Sequence, residues 1–224
     1  MKRFRYYIRP RLLLALSALA LLFSLFLLWL SLDAPLPSAA GVCARLDRER
    51  YVSGVSLLAS GPIQYQDSSD ASAPENTWWF VGRNGDSIQF YTLEKLAGFL
   101  WRNADRVARY DLSETEQSLF VRPMGTHFLG TEGTELTPVI VCTDPLVVRV
   151  EAQLVHLGMS EQENAQAVMD HRGISPDFTQ VADGVWVSPS VTIPPSVETV
   201  STLTIWCRGY DAAGNLVCQN PLDS

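Results

Sequence analysis

A run of apolar residues near the start of the chain restricts its fold more than any other feature. From Leu12 to Leu32 there is no charged residue, and the first acidic residue in the sequence is Asp33. As a helix this run of 21 residues reaches about 31 Å at ~1.5 Å per residue, which matches a hydrocarbon core of roughly 30 Å. Lys2, Arg3, Arg5, Arg9 and Arg11 precede it, and basic residues are retained on the cytoplasmic side. Residues 1–11 therefore read as a cytoplasmic tail too short to form a domain, 12–32 as a transmembrane signal-anchor helix, and the remainder as extracytoplasmic. A second reading is a secreted protein cleaved near Ala40, after the small residues Ser38 and Ala40. The run is longer than the roughly 7–15 residues of a signal-peptide core, which favours the anchor. Val42 ahead of Cys43 disfavours lipoprotein processing.

Charge narrows the range of partners. Beyond residue 32 lie all 24 acidic residues but only 12 of the 17 basic ones, a formal charge of −12. Such a surface repels nucleic acid and anionic headgroups. The expected partners are the membrane, through the N-terminal helix, and a protein or cell-envelope component, not nucleic acid.

The expected architecture is mainly β with minor α. Residues 33–42 are rich in Pro, Ala and Ser and read as a linker. Residues 43–143 are expected to form a β-rich α+β domain, and 144–224 a second, sandwich-like one. Asp67–Glu75 reads as a polar surface loop. A strand or two is expected around Val55, Leu57 and Ile63.

A hairpin is clearest where Trp78–Val81 and Ile88–Tyr91 flank Asn84-Gly85, the pair favoured in a two-residue type I′ turn. That turn pairs Arg83 with Asp86, Val81 with Ile88, and Trp79 with Phe90. Trp78, Phe80 and Tyr91 then occupy the opposite face. Both faces are apolar, so this hairpin should be covered on both sides. Leu93, Leu96, Ala97, Leu100 and Trp101 follow at helical spacing behind a Thr92 N-cap. Gly98 weakens that helix by about 1 kcal/mol and leaves a short helix running into a strand equally open.

Ser118–Arg122 and Thr137–Cys142 read as strands. Val148, Val150, Ala152 and Leu154 alternate with polar residues, as in a half-buried strand. Ser160 with Glu163 resembles a capping box for a helix ending near His171. Asp183-Gly184 marks a tight hairpin between Val181-Ala182 and Val185-Trp186, and Val191–Ile193 a short strand.

The last hairpin runs from Thr202–Cys207 through Tyr210-Asp211-Ala212-Ala213-Gly214-Asn215 to Leu216–Cys218. It resembles the closing hairpin of bacterial immunoglobulin-like and fibronectin type III-like domains, whose Asp-x-x-Gly-Asn forms the turn. The resemblance covers residues 202–218 closely and 144–224 loosely. It implies a β-sandwich acting as a spacer or binding platform, although fold alone assigns no activity.

Centring that turn on Ala212-Ala213 sets Cys207 opposite Cys218. Opposed residues lie about 4.5–5.5 Å apart, inside the ~4.4–6.8 Å between Cα atoms that a disulfide tolerates. The expected bridges are Cys207–Cys218 and, from the remaining pair, Cys43–Cys142. The other reading keeps all four as buried thiols acting as small hydrophobes. Their spacing lacks a Cys-x-x-Cys pair, and His127, His156 and His171 are remote in sequence, so no metal site or cofactor is expected.

No nucleophile elbow, metalloprotease helix, phosphate loop or dinucleotide fingerprint occurs, and no catalytic residue is assigned. His127, between glycines, is the one histidine worth testing. Trp78 and Trp79 are candidates for a ligand platform, since an aromatic ring offers large contact area at small entropic cost. Adjacent strand residues point oppositely, so at least one of the two belongs to the core. The functions left open are a non-enzymatic membrane-tethered binding or structural module, an anchored hydrolase with a dispersed site, and a sensor ectodomain acting through a membrane partner.

Overall fold

In the computed structural model, one strand organises the fold. It describes residues 4–65 and 76–220, apart from 106, 114, 116, 130, 131 and 199; the expected loop at Asp67–Glu75 lies outside these. Strand β7 (Thr134–Cys142) is buried at every position. A strand with no solvent face must lie between two layers. Leu136, Ile140 and Cys142 enter one apolar cluster, and Val139 and Val141 enter another on the opposite side, following the two-residue period of a strand.

The elements run α1 (Phe4–Ser31), α2 (Ala39–Glu49), β1 (Ser56–Pro62), β2 (Thr77–Arg83), β3 (Ser87–Leu96), β4 (Leu100–Asn103), β5 (Ala108–Asp111), β6 (Leu119–Phe128) and β7. They continue with β8 (Arg149–Gly158), α3 (Ala165–Arg172), β9 (Thr179–Ala182), β10 (Val185–Val187), β11 (Val191–Ile193), β12 (Ser201–Tyr210) and β13 (Leu216–Asn220). A first sheet orders β1-β2-β3-β4 with β5 also on β3. The central sheet holds β6, β7, β9, β10 and β11, and an outer sheet orders β13-β12-β8. Every strand pairing is antiparallel.

Trp79, Val81, Ile88 and Phe90 of the first sheet pack on Phe120, Met124, Val139, Val141 and Val185 of the central one. On the other side, Leu119, Leu136, Ile140, Trp186 and Ile193 meet Val150, Ala152, Leu154 and Cys207 of the outer sheet. Helix α2 covers the far face of the first sheet through Val42, Cys43 and Leu46. Helix α3 covers part of the far face of the outer sheet through Met169.

The mainly β class is as expected, but the expected domain border does not coincide with a structural one. β10 and β11, from beyond residue 144, pair with β7 from before it. The reason is β7 itself, whose two apolar faces need a layer from each half of the chain. The linker expected at 33–42 is also shorter and is not a free stalk. Ser38 caps α2 by accepting from Gly41 N at 3.1 Å, Val42 is fully buried, and Leu36 bridges Trp101 by two backbone hydrogen bonds of 2.9 and 2.8 Å. The signal for α2 was Val42, Cys43 and Leu46 at helical spacing behind an N-cap.

The segment Leu93–Trp101 is no helix. It forms the β3–β4 hairpin, with Ala97 at φ +48° and Gly98 at φ +79° turning the chain. Trp101 makes edge-to-face contacts with Trp78 and Phe80 at 5.8 and 5.7 Å, and these override the helical spacing. The Ser160–Glu163 box is replaced as well. Glu161 accepts from Gly158 N at 2.8 Å, and a short 3₁₀ turn, Met159–Asn164, leads into α3.

Helix α1 contains a stretch, Leu12–Ser31, that is long and apolar enough to cross a membrane, and none of it is buried against the rest of the protein. Its end is tied to the folded part. Trp29 Nε1 donates to Pro35 O at 2.9 Å, and Arg45 donates to the carbonyls of Ala34 and Asp33 at 2.7 and 3.2 Å.

Candidate functional site

The outer sheet has one face in the core and one turned away from it. On β12, Leu203, Ile205 and Cys207 belong to the core side, which leaves Thr204, Trp206 and Arg208 on the other by alternation. Their partners on β8 are Val155, Gln153 and Glu151. Helix α3 covers one end of this outward face, where Met169, fully buried, packs with Val155, Leu157 and Trp206. The other end stays open as a cleft of about 400 Å³.

Three segments set the walls of the cleft. The sheet contributes Glu151, Gln153, Trp206 and Arg208, α3 contributes Gln166 and Asp170, and the chain after α3 contributes Ser175, Pro176 and Asp177. That last segment is placed by Ile174, which exchanges backbone hydrogen bonds of 2.8 and 2.9 Å with Leu154. The start of α3 is anchored by carboxylates. Glu161 accepts from Gly158 N, Arg172 Nη2 at 2.6 Å and Ser196 Oγ at 3.1 Å. Glu198 accepts from Met159 N, Ser160 N and the Ser160 hydroxyl. The Gly158 amide foremost holds the Glu161 carboxyl below the usual glutamate range, and the Ser160 hydroxyl foremost does so for Glu198.

Within the cleft, Gln166 Nε2 donates to Asp170 Oδ1 at 2.8 Å, and Glu151 pairs with Arg149. Trp206 is 6% exposed, and its indole N–H is buried without a hydrogen-bond partner among the described residues. A buried donor left unpaired costs about 1–3 kcal/mol. The cleft therefore combines carboxylates, carboxamides and a guanidinium beside Trp206: it is suited to a ligand with many polar groups.

A second groove, of about 550 Å³, opens between the first and central sheets beside Tyr65, Trp79, Thr137 and Ser190. Thr137 Oγ1 and Ser190 Oγ lie 2.7 Å apart. Burial pushes the Tyr65 phenol up to about 12, with Glu135 adding to it.

Trp78 and Trp79 point to opposite faces, as alternation requires. Trp79 is 3% exposed within the core between the sheets and lines the second groove, while Trp78, half-buried, packs against Trp101. His127 sits on β6 beside a register shift between Met124 and His127, its ring 5.5 Å from that of Tyr65. His156 Nε2 lies 3.1 Å from Thr134 Oγ1, and burial lowers its pKa. His171 occupies the last turn of α3, where a cation suits the helix dipole. Among the described residues no group of three or more His, Cys, Asp or Glu is arranged to hold a metal.

All four cysteines are free thiols in this structure. Cys43, on α2, packs against the first sheet, whereas Cys142, Cys207 and Cys218 share the cluster between the central and outer sheets. The final hairpin is not in the expected register: Cys207 lies opposite Asn220, and Cys218 opposite Gly209.

No family model matches the sequence, and no curated protein or solved structure matches it either. Glu151, Gln153, Gln166, Trp206 and Arg208 were not singled out in the sequence. The available signal was Trp206 and Arg208 alternating out of phase with Leu203, Ile205 and Cys207 on a strand whose other face is core.

Proposed function

We propose that this protein is a non-catalytic binding module of the cell envelope, tethered by α1, which captures a hydroxyl-rich ligand such as a cell-wall oligosaccharide in the cleft between α3 and the outer sheet. The observation that carries this reading is the convergence of Gln153, Gln166, Asp170, Asp177 and Arg208 around Trp206 at one open cleft. Asp170, Asp177 and the carboxamides of Gln153 and Gln166 suit hydroxyl donors, and Arg208 suits an acceptor. The membrane-spanning stretch of α1 and the likeness of the closing hairpin to immunoglobulin-like modules support the same reading. The ties from Trp29 and Arg45 favour a folded part held close to the bilayer.

The test is titration of the full-length chain in detergent micelles with soluble cell-wall glycan fragments. Arg208→Met keeps a long side chain and removes its donors, and it should weaken binding about tenfold, the worth of one hydrogen bond of ~1.4 kcal/mol. Wild-type protein that binds no such fragment would overturn the reading.

A second reading, the anchored hydrolase, is favoured by one observation: Glu151, Asp170 and Asp177, separated in sequence, line one cleft. Release of new reducing ends by the wild type but not by Asp170→Asn or Asp177→Asn would identify it.

A further inference from the structure

The charges lining the cleft between α3 and the outer sheet are unevenly partnered. Across the β8–β12 ladder Arg149 stands opposite Tyr210, Glu151 opposite Arg208 and Gln153 opposite Trp206. Glu151 forms its ion pair along its own strand with Arg149, whose guanidinium lies 4.4 Å from the centre of the Tyr210 ring. A guanidinium over an aromatic face is attracted by the ring quadrupole, so Tyr210 holds Arg149 beside Glu151, and Arg208 loses its cross-strand partner. Arg208 is exposed, is the one basic residue lining the cleft and has no ion pair among the described residues.

The facing wall carries the opposite sign. Asp170, in the last turn of α3, accepts from the uncharged Gln166 amide at 2.8 Å, and Asp177 has no side-chain partner among the described residues. Arg172, from the same turn as Asp170, is drawn to Glu161 at 2.6 Å and neutralises neither aspartate. The walls are held apart by packing. Met169 is fully buried against Val155, Leu157 and Trp206, and Ile174 exchanges backbone hydrogen bonds of 2.8 and 2.9 Å with Leu154. Asp170, Asp177 and Arg208 therefore share a space of about 400 Å³ with no ion pair joining them among the described residues.

We propose that the cleft takes a dipolar glycan, one carrying a free ammonium that Asp170 and Asp177 receive and a carboxylate that Arg208 receives. This rests on the glycan reading above and adds the charge of the ligand to it. A neutral glycan would leave all three charges to water alone. A polyanion would meet the two aspartates, and a polycation would meet Arg208. A ligand bearing both signs sets each charge against its opposite, which fixes its orientation as well as its affinity. The planar guanidinium matches a carboxylate with two parallel N–H donors, and charge-assisted hydrogen bonds are the stronger kind. Ammonium and carboxylate occur together on a glycan bearing a short peptide with a free amine. They also occur together on an oligosaccharide alternating unacetylated amino sugars with sugar acids.

The test is calorimetric titration of the full-length chain in detergent at low salt. The probes are neutral, fully N-acetylated chitotetraose, a muramyl disaccharide bearing a lysine-containing peptide, the same fragment with its amine acetylated or its carboxylates amidated, and an alternating glucosamine–glucuronate tetrasaccharide. A fragment with both charges should bind at least about tenfold tighter than chitotetraose, and acetylation or amidation should each cost about tenfold. Salt at about 0.5 M should shrink these differences, since it screens exposed charges beyond ~4 Å. Arg208→Met should make amidation indifferent, Arg208→Lys should keep part of the preference, and Asp170→Asn with Asp177→Asn should make acetylation indifferent. All three side chains are exposed, so the variants should keep the circular dichroism of the wild type. Charge-dependent binding of either dipolar probe supports the proposal, and which of the two binds identifies the source of the charges. Equal binding of charged and neutral fragments would overturn the dipolar ligand and leave the glycan reading standing. Binding of no fragment at all would overturn both.

Discussion

Two hairpins, β2–β3 and β12–β13, were the most legible turns in the sequence, and the structure treats them differently. Both are displaced from the expected register by two residues: Arg83 pairs with Ile88 instead of Asp86, and Cys207 with Asn220 instead of Cys218. In the first, Asn84 acts as the opening residue of the turn, its Oδ1 accepting from Asp86 N and Ser87 N at 3.0 and 2.7 Å. Gly85 therefore has no positive φ to supply, and the type I′ expectation fails. In the second, Asp211 spans a longer loop, accepting from Ala213 N and Asn215 N at 2.9 and 2.8 Å, and Gly214 takes φ +84°.

The same slip has different consequences. A shift of two preserves which face every side chain occupies, so the first hairpin buries Trp79, Val81, Ile88 and Phe90 as expected. In the second it changes which residues stand opposite, and the choice of cysteine partner depends on that. Face is a property of alternation; partnership is a property of the turn.

The largest test of this contrast is Phe90→Ala. Phe90 is 1% exposed between two sheets, and the cost should be about 3–5 kcal/mol in urea unfolding. A loss below ~1 kcal/mol would mean that the first and central sheets are not packed as described. Gly214→Ala places a side chain at φ +84° and should cost about 1 kcal/mol. Gly85→Ala, with no positive φ and nothing within 4 Å of its added Cβ, should be neutral or gain up to ~1 kcal/mol. If the two glycines respond alike, the distinction between the turns collapses.

pH should separate the turns too. The hydrogen bond from the Asn215 side chain, then that from its backbone, holds the Asp211 carboxyl below the ordinary aspartate value of 3.8. Its folded pKa is lowered, so its contribution is present above that value and is lost as pH falls through the folded one. Melting temperature followed downward through pH ~4 should show this component in the wild type and not in Asp211→Asn. Asn84 carries no charge and adds none. The smallest effect is expected for Leu216→Ala, within about 0.5 kcal/mol, since Leu216 is 50% exposed.

Parts of β6 to β11 were readable: β8 from its alternation, β9 and β10 from the Asp183-Gly184 turn between them, and β6 and β7 only as Ser118–Arg122 and Thr137–Cys142. Helix α2 was missed because its Ala- and Gly-containing start looked like linker, and only its contact with Phe80, Tyr91 and Leu93 makes it an element. The Leu93–Trp101 segment satisfied helical spacing, yet Trp78, Phe80 and Trp101 hold it as a hairpin. The cleft was almost invisible, since Glu151, Gln166, Asp177 and Trp206 come from four stretches of chain with no motif joining them.

By itself the sequence determined the membrane-length apolar helix, the β character and the face each strand residue takes, since length, composition and period are local quantities. Only the tertiary structure decided that both halves share β7, which cysteines meet, and which polar side chains gather at one cleft. These depend on register and on packing between distant segments: a ladder slipped by two keeps every pattern along the chain while changing every neighbour across it.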